Sequence, residues 1–169
     1  EGAAPYADEQ YRDVFHTNCF FIGHNMRKAI DEGRASYIPV FLSEVPLLIR
    51  KRIEPITVAL ITVSPIDKHG FCSLGTSVDA TKAAVETADV VIAQVNKFMP
   101  RTHGDAQLHR LQITHFVEYD EPLPQLIAEP IDNISMQIGN NVASLVEDGA
   151  TLQLGIGNIP NAVLAKLFH

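Results

Sequence analysis

The run I-T-V-A-L-I-T-V, residues 56–63, constrains the fold more than any other stretch of this chain. β-Branched residues dominate it and apolar side chains fall on both of its faces, as in a central strand of a parallel sheet. A second such run, D-V-V-I-A-Q-V, follows at residues 89–95. Between them Asp79 stands as a cap before A-T-K-A-A-V-E-T-A, whose small residues suit close packing on a sheet. Parallel neighbours need a long crossover, so strand, helix and strand within about forty residues read as a βαβ unit. The class is α/β, with a largely parallel open sheet flanked by helices.

The remaining stretches fit that class. Residues 15–23, F-H-T-N-C-F-F-I-G, read as a strand, and a helix from Asn25 is closed by Gly33 in the C′ position. Residues 35–42 read as a short strand near an edge, because Pro39 cannot donate to a ladder. Ser43 is placed to cap a helix ending at Arg52, with Pro46 in its first turn and cations in its last. Residues 64–70 are a turn, and residues 71–78 a strand or an extended loop. Residues 96–112 are polar and irregular around P-R-T-H-G-D, a length that is usually functional or flexible. Residues 114–119 alternate like a strand, and Pro122, Pro124 and Pro130 punctuate the extended segment after them. From Asp132, a good N-cap, Ile134, Ile138, Val142, Leu145 and Val146 recur at helical spacing up to Gly149. The chain closes with a strand at Thr151–Ile156, a glycine turn and a helix from Asn158 or Ile159.

Composition narrows the function classes. The net charge of −7 argues against a nucleic-acid surface, and Arg50-Lys51-Arg52 reads as a solvated helix end. No apolar run approaches the roughly 20 residues that span a bilayer. The first ten residues lack the pattern of a signal peptide, so the cytoplasm is the default expectation. Cys19 and Cys72 sit among apolar neighbours and read as buried free thiols. His103, His109 and Asp105 lack the spacing of a helical metal pair or a finger and read as loop residues. His69, before Gly70, reads as structural. Arg101 is either a fork for a phosphate or an exposed loop cation. Glu1 is not an initiator and the last helix is short at His169, so both ends read as cuts through a longer protein.

The closing motif, T-L-Q-L-G-I-G-N-I-P-N-A-V, carries the chemistry that is easiest to name. Gly155 and Gly157 stand one residue apart, but the third glycine of a dinucleotide turn is missing, as is the Lys-Ser/Thr pair of a phosphate loop. Glycines let a ligand approach the backbone, and Asn158 and Pro160 open a helix whose first N–H groups suit an anion or an acyl oxygen. A bare strand-to-helix turn is the alternative.

Four stretches together resemble a known family. They are P-V-F-L-S-E-V-P-L-L-I-R from Pro39, S-P-I-D-K-H-G-F-C-S-L-G-T-S-V-D from Ser64, A-Q-V-N-K-F-M-P-R-T-H-G-D from Ala93 and G-A-T-L-Q-L-G-I-G-N-I-P-N-A-V-L from Gly149. In order and spacing they resemble the acetyl-CoA hydrolase/transferase family, above all its 4-hydroxybutyrate and butyrate CoA-transferases. The resemblance implies an enzyme of two similar α/β domains, of which residues 1–169 form part of the N-terminal one. It implies CoA transfer between short carboxylic acids, with coenzyme A as substrate, no tightly bound cofactor, and a homo-oligomer of the whole protein.

In the implied mechanism a glutamate attacks an acyl-CoA thioester, and a glutamyl-CoA thioester then passes CoA to the second acid. The matching glutamate is expected beyond His169, in the second domain. Glu44, Glu118, Glu121 and Glu147 do not occupy its motif, so no catalytic residue is expected in this chain and the chain alone is expected to be inactive. The resemblance places Gln153, Gly155 and Gly157 beside the nucleophile, and Ser77 and Asn96 in the same cleft, as substrate- or CoA-binding residues. Asn96 follows a strand's carboxyl end, where open α/β sheets bind ligands. Two other readings stand beside this one: an acyl-CoA hydrolase, and a non-catalytic module that binds an anionic ligand such as CoA. A nucleotide-dependent oxidoreductase comes after them.

Overall fold

Two 3-10 turns, Pro5–Ala7 and Glu9–Tyr11, precede two short parallel strands and the helix between them. The computed structural model describes residues 4–125 and 130–167, so His169 lies outside it. The chain forms two compact units, Glu1–Pro124 and Gln125–His169. In the first, β1 (Thr17–Cys19) pairs in parallel with β2 (Ala35–Tyr37), and α1 (His24–Asp31) connects them. Met26 and Ala29 of α1 are buried against Cys19 and Ala35. Gly33 follows the helix at φ 71°, the left-handed C′ residue anticipated there.

The expected strand at 35–42 stops at Tyr37, and the chain beyond it is irregular before a 3-10 turn at Leu42–Glu44. Ser43 therefore sits inside that turn and caps nothing, because α2 (Val45–Arg50) starts two residues later, after Glu44. Val45 and Ile49 of α2 are buried with Ala83 of α3 (Thr81–Thr87), to which Arg50 adds a 2.8 Å ion pair with Glu86. That pair is partly exposed, so packing rather than charge holds the two helices together.

The expected βαβ unit is present. β3 (Val58–Val63) and β5 (Val90–Val95) pair in parallel over six residues, Ala59 opposite Val91 and Ile61 opposite Ala93. β7 (His115–Glu118) lies in parallel on the far side of β5, giving the order β3-β5-β7. Among the described residues β5 is thus central and β3 an edge, where apolarity alone suggests a central strand. One face of the sheet carries Ala59, Ile61, Val63, Val91 and Ala93 into the main core, with Val85 of α3. The other face leaves Leu60 76% exposed and Val117 50% exposed. Apolarity on both faces of a strand reports that both can be buried, and does not say by what.

Within the expected irregular segment 96–112, β6 (Gln107–His109) pairs antiparallel with β4 (Phe71–Ser73). Leu108 and Cys72, opposite one another, are fully buried, so this small ladder forms the floor of the core.

In the second unit Asp132 caps α4 (Asn133–Ala143) as expected. Its Oδ1 accepts from the Ile134 and Ser135 amides at 2.9 Å, and its Oδ2 from the Ser135 hydroxyl at 2.6 Å. The Ser135 hydroxyl bond, with the two amides, holds the Asp132 carboxyl below its ordinary range. α4 ends at Ala143 rather than near Gly149. It packs on α5 (Asn158–Leu167) through small residues: a Cβ on Gly139 would lie 2.7 Å from the backbone carbon of Ala162. Thr151–Ile156 is not a strand; it is exposed and carries no ladder among the described residues. The regular elements of this unit are helices, so the run has no strand beside it within the unit with which to pair.

Candidate functional site

The turn L-G-T-S after β4 brings Ser77 to the carboxyl ends of the parallel strands. Leu74 is fully buried and its amide donates to Ala106 O at 2.8 Å. Gly75 has φ 60°, and the Ser77 amide closes the turn on Leu74 O at 3.0 Å. A first central residue of positive φ is the geometry that glycine adopts without strain. Space also demands it, since a Cβ on Gly75 would lie 2.1 Å from the Met99 sulfur and 2.8 Å from Pro100 O. Thr76 leans on the same sulfur, its amide 3.5 Å away.

Asn96 follows β5 and is almost fully buried. Its Nδ2 donates to Glu121 O at 2.7 Å, and its Oδ1 accepts from the Glu121 amide at 3.3 Å and the Phe98 amide at 3.0 Å. The side chain thus mimics a backbone partner and carries the β5–β7 pairing beyond the end of the ladder. Gln94 does the same one step earlier, its Nε2 donating to Tyr119 O at 3.0 Å. Lys97 adds a third tether, its amide donating to Asp120 at 2.9 Å. The Lys97 ammonium, and then the Lys97 amide, hold the Asp120 carboxyl below its usual range.

Ser77 and Asn96, which the resemblance puts in one cleft, line one cavity of about 390 Å³, together with Thr62, Gln94, Met99 and the segment Glu121–Pro124. Thr62 and Gln94 stand one residue from the ends of β3 and β5, so the cavity opens where α/β sheets place ligands. Those two residues were not singled out in the sequence, although the strand ends point to them. Among the described residues the lining is hydroxyl, amide and apolar, with no Lys, Arg or His in it and Glu121 as its only carboxylate.

Gln153, Gly155 and Gly157 lie in the second unit, on one turn before α5, the first two exposed and Gly157 half-buried. Gly157 has φ 142°, and a Cβ at Gly155 would meet nothing closer than Pro160 Cγ at 4.0 Å. The turn is open to solvent on the side of its glycines, and Ile156 is 98% exposed.

The other candidates are held in structural roles. Arg101 is occupied: its Nη2 pairs with Asp67 at 2.7 Å and its Nη1 donates to Phe71 O at 3.2 Å. Asp67 also accepts from the Phe71 and His69 amides at 2.9 Å; these bonds, with Arg101 nearby, hold its carboxyl below the ordinary range. His109 Nδ1 accepts from the Leu111 amide at 3.3 Å, and its ring meets Phe71 edge-on. Asp105 pairs with Lys82, beside His103 in a second cavity of about 430 Å³. No group of three His, Cys, Asp or Glu among the described residues is placed to hold a metal ion. Both cysteines are buried and free.

Comparison with known proteins decides the family. Residues 1–128 match the family model of the acetyl-CoA hydrolase/transferase N-terminal domain. The chain belongs to the acetyl-CoA hydrolase/transferase family. Among curated proteins it is 49% identical over 168 residues to the succinyl-CoA:acetate/propanoyl-CoA:succinate CoA transferase of Fasciola hepatica, covering 99% of this chain and 35% of that one. It is 49% identical over 166 residues to the 4-hydroxybutyrate coenzyme A transferase of Clostridium kluyveri, covering 98% and 39%. Among solved structures, the 4-hydroxybutyrate CoA-transferase of Porphyromonas gingivalis superposes with a TM-score of 0.75 at 38% identity, covering 94% of this chain and 42% of that one. The α/β class is that of these family members, and this chain spans roughly a third to two fifths of the curated relatives' length. No helix among the described residues is long and apolar enough to cross a membrane.

Proposed function

We propose that the whole protein moves CoA between short carboxylic acids, of the 4-hydroxybutyryl, butyryl or acetyl type. The observation that carries this is the meeting of Ser77 and Asn96, within a family domain, at one cavity on the carboxyl ends of β3 and β5. The relatives' names supply the reaction class.

The lining fits the uncharged part of an acyl-CoA. Hydroxyls of Thr62, Thr76 and Ser77 and the amide of Gln94 match a thioester or the amides of a pantetheine arm. A free phosphate would find no cation there. Asn96 acts through the wall it holds, since its amide is spent on Glu121 and Phe98. Gln153, Gly155 and Gly157 supply an open backbone turn for the acyl group.

In this reading the nucleophile is a glutamate outside these 169 residues, in a second domain. Its carboxylate attacks the thioester carbon and expels CoA thiolate, leaving an acyl–glutamyl anhydride. The thiolate returns to the glutamyl carbonyl, releases the first acid and leaves glutamyl-CoA, which the incoming carboxylate resolves by the reverse steps. CoA is a substrate, no tightly bound cofactor takes part, and the whole protein works as a homo-oligomer in the cytoplasm.

The test incubates the whole protein with acetyl-CoA and butyrate. Expected are butyryl-CoA and a hydroxylamine-sensitive adduct on a glutamate outside residues 1–169. Release of free CoA without butyryl-CoA makes the protein a hydrolase, and binding without turnover makes it a module. An adduct on Cys72 overturns the mechanism.

A further inference from the structure

We infer that Ser73 and Thr102 form a positioning latch that holds the Gly75–Ser77 turn against the cavity; this rests on the proposed CoA-ester site. Ser73 is fully buried at the end of β4. Its Oγ accepts from the Gly75 amide and from the Thr102 amide, each at 3.1 Å. Its own hydrogen faces Thr102, whose carbonyl oxygen lies 3.1 Å and whose hydroxyl lies 3.0 Å away. The Thr102 hydroxyl in turn donates to Gly75 O at 2.9 Å. Gly75 is therefore gripped at both its amide and its carbonyl. The Ser73 amide donates to Ser64 Oγ at 2.9 Å, which anchors the latch to the end of β3.

The placement is what makes this more than core packing. Ser64 follows the last residue of β3, Ser73 ends β4, and Thr102 lies three residues beyond Met99, whose sulfur seats the turn. Three segments meet at Ser73, the Gly75 and Thr102 amides at its hydroxyl and Ser64 at its backbone amide. The two residues after Gly75, Thr76 and Ser77, are the ones that line the cavity. Neither Ser73 nor Thr102 lines that cavity, so both act through the turn. A buried hydroxyl with two accepted bonds and one donated is fully satisfied, and such satisfied networks fix a single local geometry.

Thr102 offers a cleaner test than Ser73, because Ser73→Ala would strand two buried amides and damage folding. Thr102→Val keeps the shape and the backbone but removes the hydroxyl on Gly75 O, while Thr102→Ser keeps the hydroxyl. In the whole protein, Thr102→Val is expected to raise the KM for the CoA ester about five- to tenfold with kcat within about twofold, the pattern of lost ground-state positioning. Thr102→Ser is expected to restore the KM.

A second measurement does not depend on turnover. Amide exchange at Ser77, bonded to Leu74 O, should speed up about tenfold or more in Thr102→Val and stay native in Thr102→Ser. If the native protein transfers no CoA, the function fails on its own, and Ser77 exchange still decides the latch. Unchanged exchange in Thr102→Val overturns it, as does Thr102→Ser behaving like Thr102→Val. In an active enzyme, an unchanged KM in Thr102→Val overturns it too.

Discussion

Two of the glycine turns, at Gly75 and at Gly155–Gly157, use glycine for opposite ends. At Gly75 the residue is buried under the Met99 sulfur, gripped at both backbone atoms, and closed by Ser77. At Gly155 the turn stands in solvent and at Gly157 it is half-buried, and at both the nearest atoms to an added Cβ belong to Pro160. The first glycine is required because neighbours fill the space of a side chain. The second pair leaves that space unfilled and presents a backbone that a ligand can reach. A glycine-rich motif therefore reports a constraint without naming its kind; the surroundings name it.

The contrast breaks most sharply at Gly75. Gly75→Ala meets both a positive φ and a backbone oxygen 2.8 Å away, and Met99 must also move. The expected loss is about 3–4 kcal/mol of stability, the sum of left-handed strain and overpacking. Chemical unfolding followed by circular dichroism measures it, and a loss under about 1 kcal/mol would mean that Met99 yields freely.

The exposed turn should respond far less. Gly157→Ala carries strain from φ 142° but no clash, for a cost of about 1 kcal/mol. Gly155→Ala should fall within about 0.5 kcal/mol of the native protein in the same unfolding experiment. Its effect belongs to the reaction instead: a drop of about tenfold or more in CoA transfer by the whole protein is expected if the acyl group uses that backbone.

The smallest effect concerns charge beside the first turn. The Asp67 carboxyl lies below its ordinary range because the Phe71 amide, then the His69 amide and Arg101, favour its ionised form. An aspartate's unfolded value is about 3.9, so between the folded and unfolded values the unfolded chain binds more protons. The resulting stability is complete above the unfolded value and is lost as pH falls through the folded one. Asp67→Asn keeps an oxygen for the two amides and removes the charge, so its acid-unfolding limb should be shallower than that of the native protein. Identical limbs would show that Asp67 contributes nothing to that window.

These contrasts also show where sequence reading succeeds. The β3–α3–β5 unit was legible because long apolar runs flank a helix of small residues, although the N-cap is Ala80 with no side-chain cap rather than the expected Asp79. The Asp132 cap was legible because its whole mechanism lies within three residues. β6 was not, since a three-residue strand with Leu108 as its one apolar residue has no period to read. The apolar run at 151–156 misled for the opposite reason: it shows a strand's composition, but a strand exists only with a partner. Ser77 and Asn96 were found as residue types in motifs. The part Asn96 plays was hidden, because its partner Glu121 lies 25 residues away. Arg101 stands exposed on its loop, one of its two readings, but its carboxylate partner 34 residues earlier was not legible.

Cys72 draws a practical consequence from the small antiparallel ladder. Its thiol is fully enclosed, rests on Leu108 O at 3.6 Å, and is raised above its ordinary pKa by burial. If the proposed reaction holds, with its free CoA thiolate, this burial keeps the protein's own sulfur out of exchange chemistry. The same enclosure makes Cys72 a stopwatch: a thiol-trapping reagent can mark it only in the instants when β4 and β6 part, so its labelling rate times the breathing of the ladder beneath the Ser77 turn.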